Sequence, residues 1–239
     1  MKGYVAVLIA GLALSLGGCA STEDTSGAND PHEATNRKIF DMNMSLDRAV
    51  MKPVAKAYVK VVPEPMRDGV HNFLYNLDLP VTFANDILQG EFERSGETFA
   101  RLTVNTTLGL GGLMDVATKM NIPNHTEDFG QTLAVWGSGE GPYIVWPFYG
   151  PSNPRDTAGA IVDIGFDPLT YVSWRSKFWY MAGRGALNVV DLRARNLDQL
   201  DSIERSSLDL YASIRSLYRQ NRNNEIRNGA PDVSNLPNL

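Results

Sequence analysis

The chain of 239 residues holds a single cysteine, Cys19, so it has neither an internal disulfide nor a thiolate cluster for a metal. Its three histidines, His32, His71 and His125, stand far apart, which removes the helical His pairs of zinc sites. No Gly-x-Ser-x-Gly nucleophile elbow occurs; Gly137-Ser138-Gly139 has the wrong spacing. Gly137, Gly139 and Gly141 lack both a preceding strand and the Lys-Ser/Thr of a P-loop, so they do not make a nucleotide cradle. With 22 basic against 27 acidic residues there is no cationic surface for nucleic acid or anionic lipid. Beyond Cys19 no run approaches the 18 or so apolar residues of a spanning helix.

What is present begins at the N-terminus. Lys2 precedes an apolar run ending at Leu16, long enough for a secretory signal and too short to cross a bilayer comfortably. Leu16-Gly17-Gly18-Cys19 resembles a bacterial lipobox, in which small residues admit the backbone to a peptidase and the thiol accepts a diacylglyceryl group. Residues 1–18 are then a lipoprotein signal peptide cleaved between Gly18 and Cys19, and removing Lys2 makes the net charge of −5 more negative by one. Residues 19–29 are small and polar, the composition of a flexible tether.

From Asp30 onward helical spacing dominates. Asp30-Pro31-His32-Glu33 predicts an N-cap, a first-turn proline and a capping-box Glu. Pro53 predicts a start or a kink, Pro63 and Pro65 another start, and Pro80 the end of a stripe carrying Phe73, Leu74 and Leu77. Residues 81–88 predict a helix with Gly90 as its C′ residue. Residues 92–108, 128–136, 156–164 and 177–227 also read as helical, with Asp128 capping one and Arg155-Asp156 opening another. Twenty-one Gly and 13 Pro keep the helices short, which favours a curved arrangement over long parallel rods. The expectation is an all-α domain over residues 30–220, and a polar, disordered tail over 221–239.

One stretch ties these features together. Glu127-Asp128-Phe129-Gly130-Gln131-Thr132-Leu133, Trp136-Gly137-x-Gly139-x-Gly141-Pro142-Tyr143, Gly150-Pro151-Ser152 and Arg155-Asp156 closely resemble the MlaA/VacJ family of outer-membrane lipoproteins. Asp30-Pro31-x-Glu33-x-x-Asn36-Arg37, Phe73-x-x-Asn76-Leu77, Asn85-Asp86-x-Leu88-Gln89-Gly90 and residues 105–117 agree in the same order. The likeness is collinear to about Ile164, and beyond that it rests on helical, charged character alone.

The resemblance implies a doughnut of short amphipathic helices, monotopic in the periplasm-facing leaflet of the outer membrane, with a polar central channel. Through it phospholipid would leave the outer leaflet for a soluble periplasmic carrier, maintaining lipid asymmetry, and a trimeric porin would be a partner. It implies no enzyme activity and no cofactor beyond the covalent N-acyl and S-diacylglyceryl lipid on Cys19. A gating hairpin matches Phe40, Asp41, Met42, Asn43 and Met44, with Met where relatives carry aromatics. Gly137, Gly139 and Gly141 would line the channel or turn the backbone. A structural porin companion, or a hydrolase using Asp115, His125 and Asp128, are the alternatives.

Overall fold

The computed structural model describes residues 29–230 apart from residue 174. The signal peptide, the lipidation site at Cys19 with its cleavage position at Gly18, and residues 231–239 lie outside the described residues. The protein is mostly helical, with one small hairpin.

Helix α1 (Glu33–Leu46) starts two residues later than a cap at Asp30 would place it. Asp30 is instead buried, bonded to Asn36 Nδ2 at 2.8 Å and to the hydroxyl of Tyr211 and Arg215 from the far end of the chain. The spacing thus misplaced a residue whose partners are distant in sequence. α1 passes through a π turn (Asp47–Met51) into α2 (Lys52–Val61). Pro53 lacks an N–H to donate back along the helix, and the widened turn just before it accommodates the missing bond.

α3 (Glu64–Gln89) runs straight past Pro80, where the sequence predicted an end. Leu79 and Thr82, both buried, hold the proline's neighbours in place, so packing outweighs the lost hydrogen bond. The helix ends as expected at Gly90, in the left-handed conformation, with Glu91 N–H reaching back to the Asp86 carbonyl. α4 (Phe92–Thr107) folds back along α3, followed by the short α5 (Val116–Lys119).

Asp128 caps α6 (Phe129–Val135) by accepting from Gln131 N–H at 2.9 Å. Strands β1 (Ile144–Trp146) and β2 (Gly150–Ser152) pair antiparallel, a hairpin that helical periodicity did not reveal. α7 (Pro154–Phe166) is capped by Asn153. It crosses α6 so closely that a Cβ on Gly159 would lie 2.3 Å from the Gly130 nitrogen.

The stretch read as one helical pattern over 177–227 is three helices: α8 (Lys177–Arg195), α9 (Leu197–Ser206) and α10 (Leu210–Ile226). α10 continues through residues 221–226, so the polar tail expected from Asn221 is corrected for those positions. They carry Arg222, which is buried, and charge there signals pairing rather than disorder. The neighbour relations close a circuit: α1, the π turn, α2, α8, α3, then α6 and α7, α10, the hairpin, and α1 again. The arrangement is ring-like.

The ring is inverted with respect to water. Its buried set is largely polar and includes Arg101, Asn85, Asp86, Asn105, Asp191, Arg193 and Arg222. Phe92, Phe99, Leu108, Leu110, Phe148, Phe178 and Trp179 stand exposed. α4 shows the inversion within one helix, since Ser95, Thr98, Arg101 and Asn105 face inward while its Phe residues face out. No helix among the described residues is long and apolar enough to cross a membrane.

Candidate functional site

Two cavities flank the N-terminal helix. The first, about 280 Å³, is mostly apolar: Phe40, Met44, Leu46 and Met51 from the α1 side, Phe148 and Pro151 from the hairpin, and Val189, Leu200, Leu210 and Ile214 from α8 to α10. Asn43, Asp47, Arg193 and Glu204 add polar groups to that wall. The second, about 530 Å³, is polar, with Arg37, Asp41, Ser45 and Arg48 on α1 and the π turn facing Asp209 and Tyr211. Phe40, Met44 and Leu210 line both, so these side chains form the partition between the cavities.

The five residues of the expected gating hairpin therefore divide. Phe40 and Met44 sit in the partition, Asn43 faces the apolar cavity and Asp41 the polar one, while Met42 is exposed on the outer surface. The segment is an unbroken part of α1, with no turn of its own. Asn43 joins it to the β hairpin: its Nδ2 donates to the Trp146 carbonyl at 2.9 Å, and its Oδ1 accepts from Phe148 N–H at 2.8 Å.

Gly137, Gly139 and Gly141 lie in the loop between α6 and β1, and none lines either cavity. Gly137 and Gly141 have φ of +92° and +72°, conformations that side-chain-bearing residues seldom adopt. The Gly141 carbonyl accepts from Asn29 Nδ2 at 2.7 Å, and Tyr143 N–H donates to the Asn29 carbonyl. Asn29, placed by its composition in the tether, is thus held by this loop.

Ion pairs fix the walls. Arg37 donates to both oxygens of Asp209, at 3.1 and 2.7 Å, and to Glu33 at 2.7 Å. The hydrogen bond from Arg37 lowers the Asp209 carboxyl to about 2, and the guanidinium itself is raised in return. Arg193 is bidentate on Asp47, at 2.7 and 2.9 Å. Farther along α10, Arg222 donates to both oxygens of Asp128 at 2.6 Å and to Asp156 at 3.0 Å, binding α10 to α6 and α7. Sequence reading missed this hub. Tyr211, Arg215, Tyr218 and Arg222 recur at spacings of four and three, one polar-aromatic helix face, which is the signal that could have found it.

The residues that hydrolysis would have needed are engaged structurally. Asp115 is bidentate with Arg101, and Asp128 caps α6 and holds Arg222. His125 Nε2 lies 3.1 Å from both oxygens of Asp86 and 3.1 Å from Thr98 Oγ1, while that hydroxyl donates to Asp86 at 2.7 Å. One ring nitrogen meets both partners and the hydroxyl spends its proton on the carboxylate, so the set is not a base–nucleophile relay. Among the described residues no group of His, Cys, Asp and Glu could hold a metal.

The comparisons agree with one another. The family described as MlaA lipoprotein matches residues 28–225. An "Intermembrane phospholipid transport system lipoprotein MlaA" of Escherichia coli (strain K12) is 39% identical over 96% of this chain and 90% of its own. The protein of that name in Haemophilus influenzae is 35% identical over 91% of this chain and 88% of its own. A solved chain, from work on the structural basis for maintenance of bacterial outer membrane lipid asymmetry, superposes with a TM-score of 0.75 at 37% identity. It covers 82% of this chain and 98% of its own length.

Proposed function

Since the chain belongs to the MlaA lipoprotein family, we propose that it removes mislocalised phospholipid from the outer leaflet of the bacterial outer membrane. The lipid would pass through the ring to a soluble periplasmic carrier. At the coarser level the family's role is intermembrane phospholipid transport by an outer-membrane lipoprotein, and that role requires a path rather than a bond-breaking step.

The observation that carries the reading is the inverted ring. A phospholipid headgroup resists hydrocarbon and its tails resist water, so a polar interior lowers one barrier while an apolar exterior leaves the tails in lipid. Phe92, Phe99, Trp179 and their exposed neighbours supply the exterior, and the charged interior supplies the path. The partition of Phe40, Met44 and Leu210 stands where passage between the cavities would be controlled. Met in place of an aromatic keeps that partition apolar and makes it more pliant. Cys19 anchors the protein at the periplasm-facing leaflet, and a trimeric porin is its membrane companion.

The test is outer-leaflet phospholipid in cells lacking the gene, complemented with the native chain or with Cys19→Ala. The level should rise on deletion, fall with the native chain and stay high with Cys19→Ala. An unchanged outer leaflet on deletion would remove the transport role and leave a structural porin companion.

A further inference from the structure

The polar cavity holds a carboxylate without an ion-pair partner and a guanidinium only partly engaged. Asp41 points into it, and among the described residues its carboxylate meets no cation. Arg48, 54% exposed, engages Glu204 through Nε at 2.7 Å, which leaves both Nη groups open. The remaining pair in the same wall, Arg37 and Asp209, is closed on itself through two hydrogen bonds and is committed to structure. Ser45 lies between Asp41 and Arg48 on the same face, one turn from each.

Asp41 and Arg48 are two helical turns apart, about 10 Å along the axis. Charge-assisted bonds from these two side chains suit a ligand that is anionic at one side and cationic at the other. A phosphodiester carrying an aminoethyl group has that polarity. Its glycerol end would turn toward Phe40, Met44 and Leu210, beyond which the apolar cavity receives the first methylenes of the chains.

We propose that Arg48 and Asp41 form a zwitterion-reading headgroup site, Arg48 taking the phosphodiester and Asp41 the ammonium of an ethanolamine phospholipid. The proposal rests on the transport reading and adds to it a headgroup preference. Arg48, with two open Nη groups, matches a phosphate better than a lysine would, because its fork is planar and fixed. An anionic glycerol headgroup would satisfy Arg48 and leave Asp41 facing negative charge. The site therefore discriminates against it by repulsion as well as by a missing contact.

The full-length lipidated protein in detergent is titrated with short-chain phosphatidylethanolamine, phosphatidylglycerol and diacylglycerol, and occupancy is read by native mass spectrometry. The native chain should bind the ethanolamine lipid about tenfold more tightly than the glycerol lipid. Asp41→Asn should bring the two to parity, and Arg48→Gln should weaken both about tenfold toward the diacylglycerol level. Both side chains are exposed, so the variants should keep the native melting curve, which is recorded alongside. If neither variant alters the preference while phospholipid still binds, the headgroup site is wrong and the transport reading stands. If the native chain binds no phospholipid above diacylglycerol, the headgroup site is wrong and the transport reading is weakened with it. Glycerophosphoethanolamine and inorganic phosphate serve as soluble competitors. Displacement by either as effectively as by the lipid would make this a site for free phosphate esters and overturn its assignment to a membrane lipid.

Discussion

Arg222 offers the sharpest test of the inverted interior. Its guanidinium faces Asp128, Asp156 and Glu225 at once, with side-chain exposures of 39%, 10% and 35%. Arg222→Met keeps the stem's bulk and removes the charge, leaving Asp156, in a site with little water, to Arg155 and the Tyr218 hydroxyl. Breaking a buried ion pair by deleting one partner costs about 3–5 kcal/mol, and the partial exposure of Asp128 and Glu225 places this case near 3. For a domain of this size, at about 3 °C per kcal/mol, the midpoint should fall by roughly 9 °C. Near-ultraviolet circular dichroism on heating in detergent, at one fixed scan rate, would follow the loss of aromatic packing.

The double variant Arg222→Met with Asp156→Asn supplies the control. Neutralising the under-compensated carboxylate should recover about 1–2 kcal/mol relative to additivity. pH gives a further reading. Burial pushes Asp156 up, but the Tyr218 hydroxyl and Arg222 outweigh it and hold the carboxyl below its ordinary range. Its contribution is therefore full above pH ~4 and lost as pH falls, so the gap between native and Arg222→Met should narrow in acid. A midpoint drop under ~2 °C at neutral pH, or a double variant no better than additive, would refute this account of the hub.

Gly159→Ala should destabilise by about 3 kcal/mol or more, because the added methyl meets the Gly130 backbone rather than a movable side chain, and a chemical melt would register it. Asn36→Ala orphans the Val145 N–H and the Tyr143 carbonyl, both bonded at 3.0 Å, and should cost about 2–3 kcal/mol with loss of amide protection in the hairpin. Asp209→Asn should cost no more than about 1 kcal/mol at neutral pH, since the pair is partly exposed. With the folded carboxyl at about 2 against an ordinary value of about 3.9, that difference should vanish as pH falls from ~4 toward 2.

Local rules read several features of the chain correctly. Asp128 as a cap, Gly90 as a left-handed terminator and the Arg155–Asp156 pair at the head of α7 each depend on neighbours within a few residues. What spacing could not supply was direction. The apolar stripe through Phe92 and Phe99 has the period of a helix packed on a core, yet it points away from one, because periodicity is blind to which side the solvent lies on. Asp30 and Arg222 were misjudged for one reason: each is held by partners dozens to nearly two hundred residues away. Of the two cavities, sequence located the α1 segment through family resemblance. In the facing wall at residues 208–211, Tyr211 alone belongs to a readable pattern, the polar-aromatic face of α10.

α10 has a bearing on how the protein comes into being. Tyr211 and Arg215 close on Asp30, Arg219 on Glu140, and Arg222 on Asp128 and Asp156, so one late segment supplies the cations for carboxylates spread over the preceding chain. A growing polypeptide, made from its N-terminus onward, must hold those carboxylates without these partners until α10 arrives. Assembly is consequently a closing event that waits on α10, and a chain cut before that helix would leave those carboxylates without these partners.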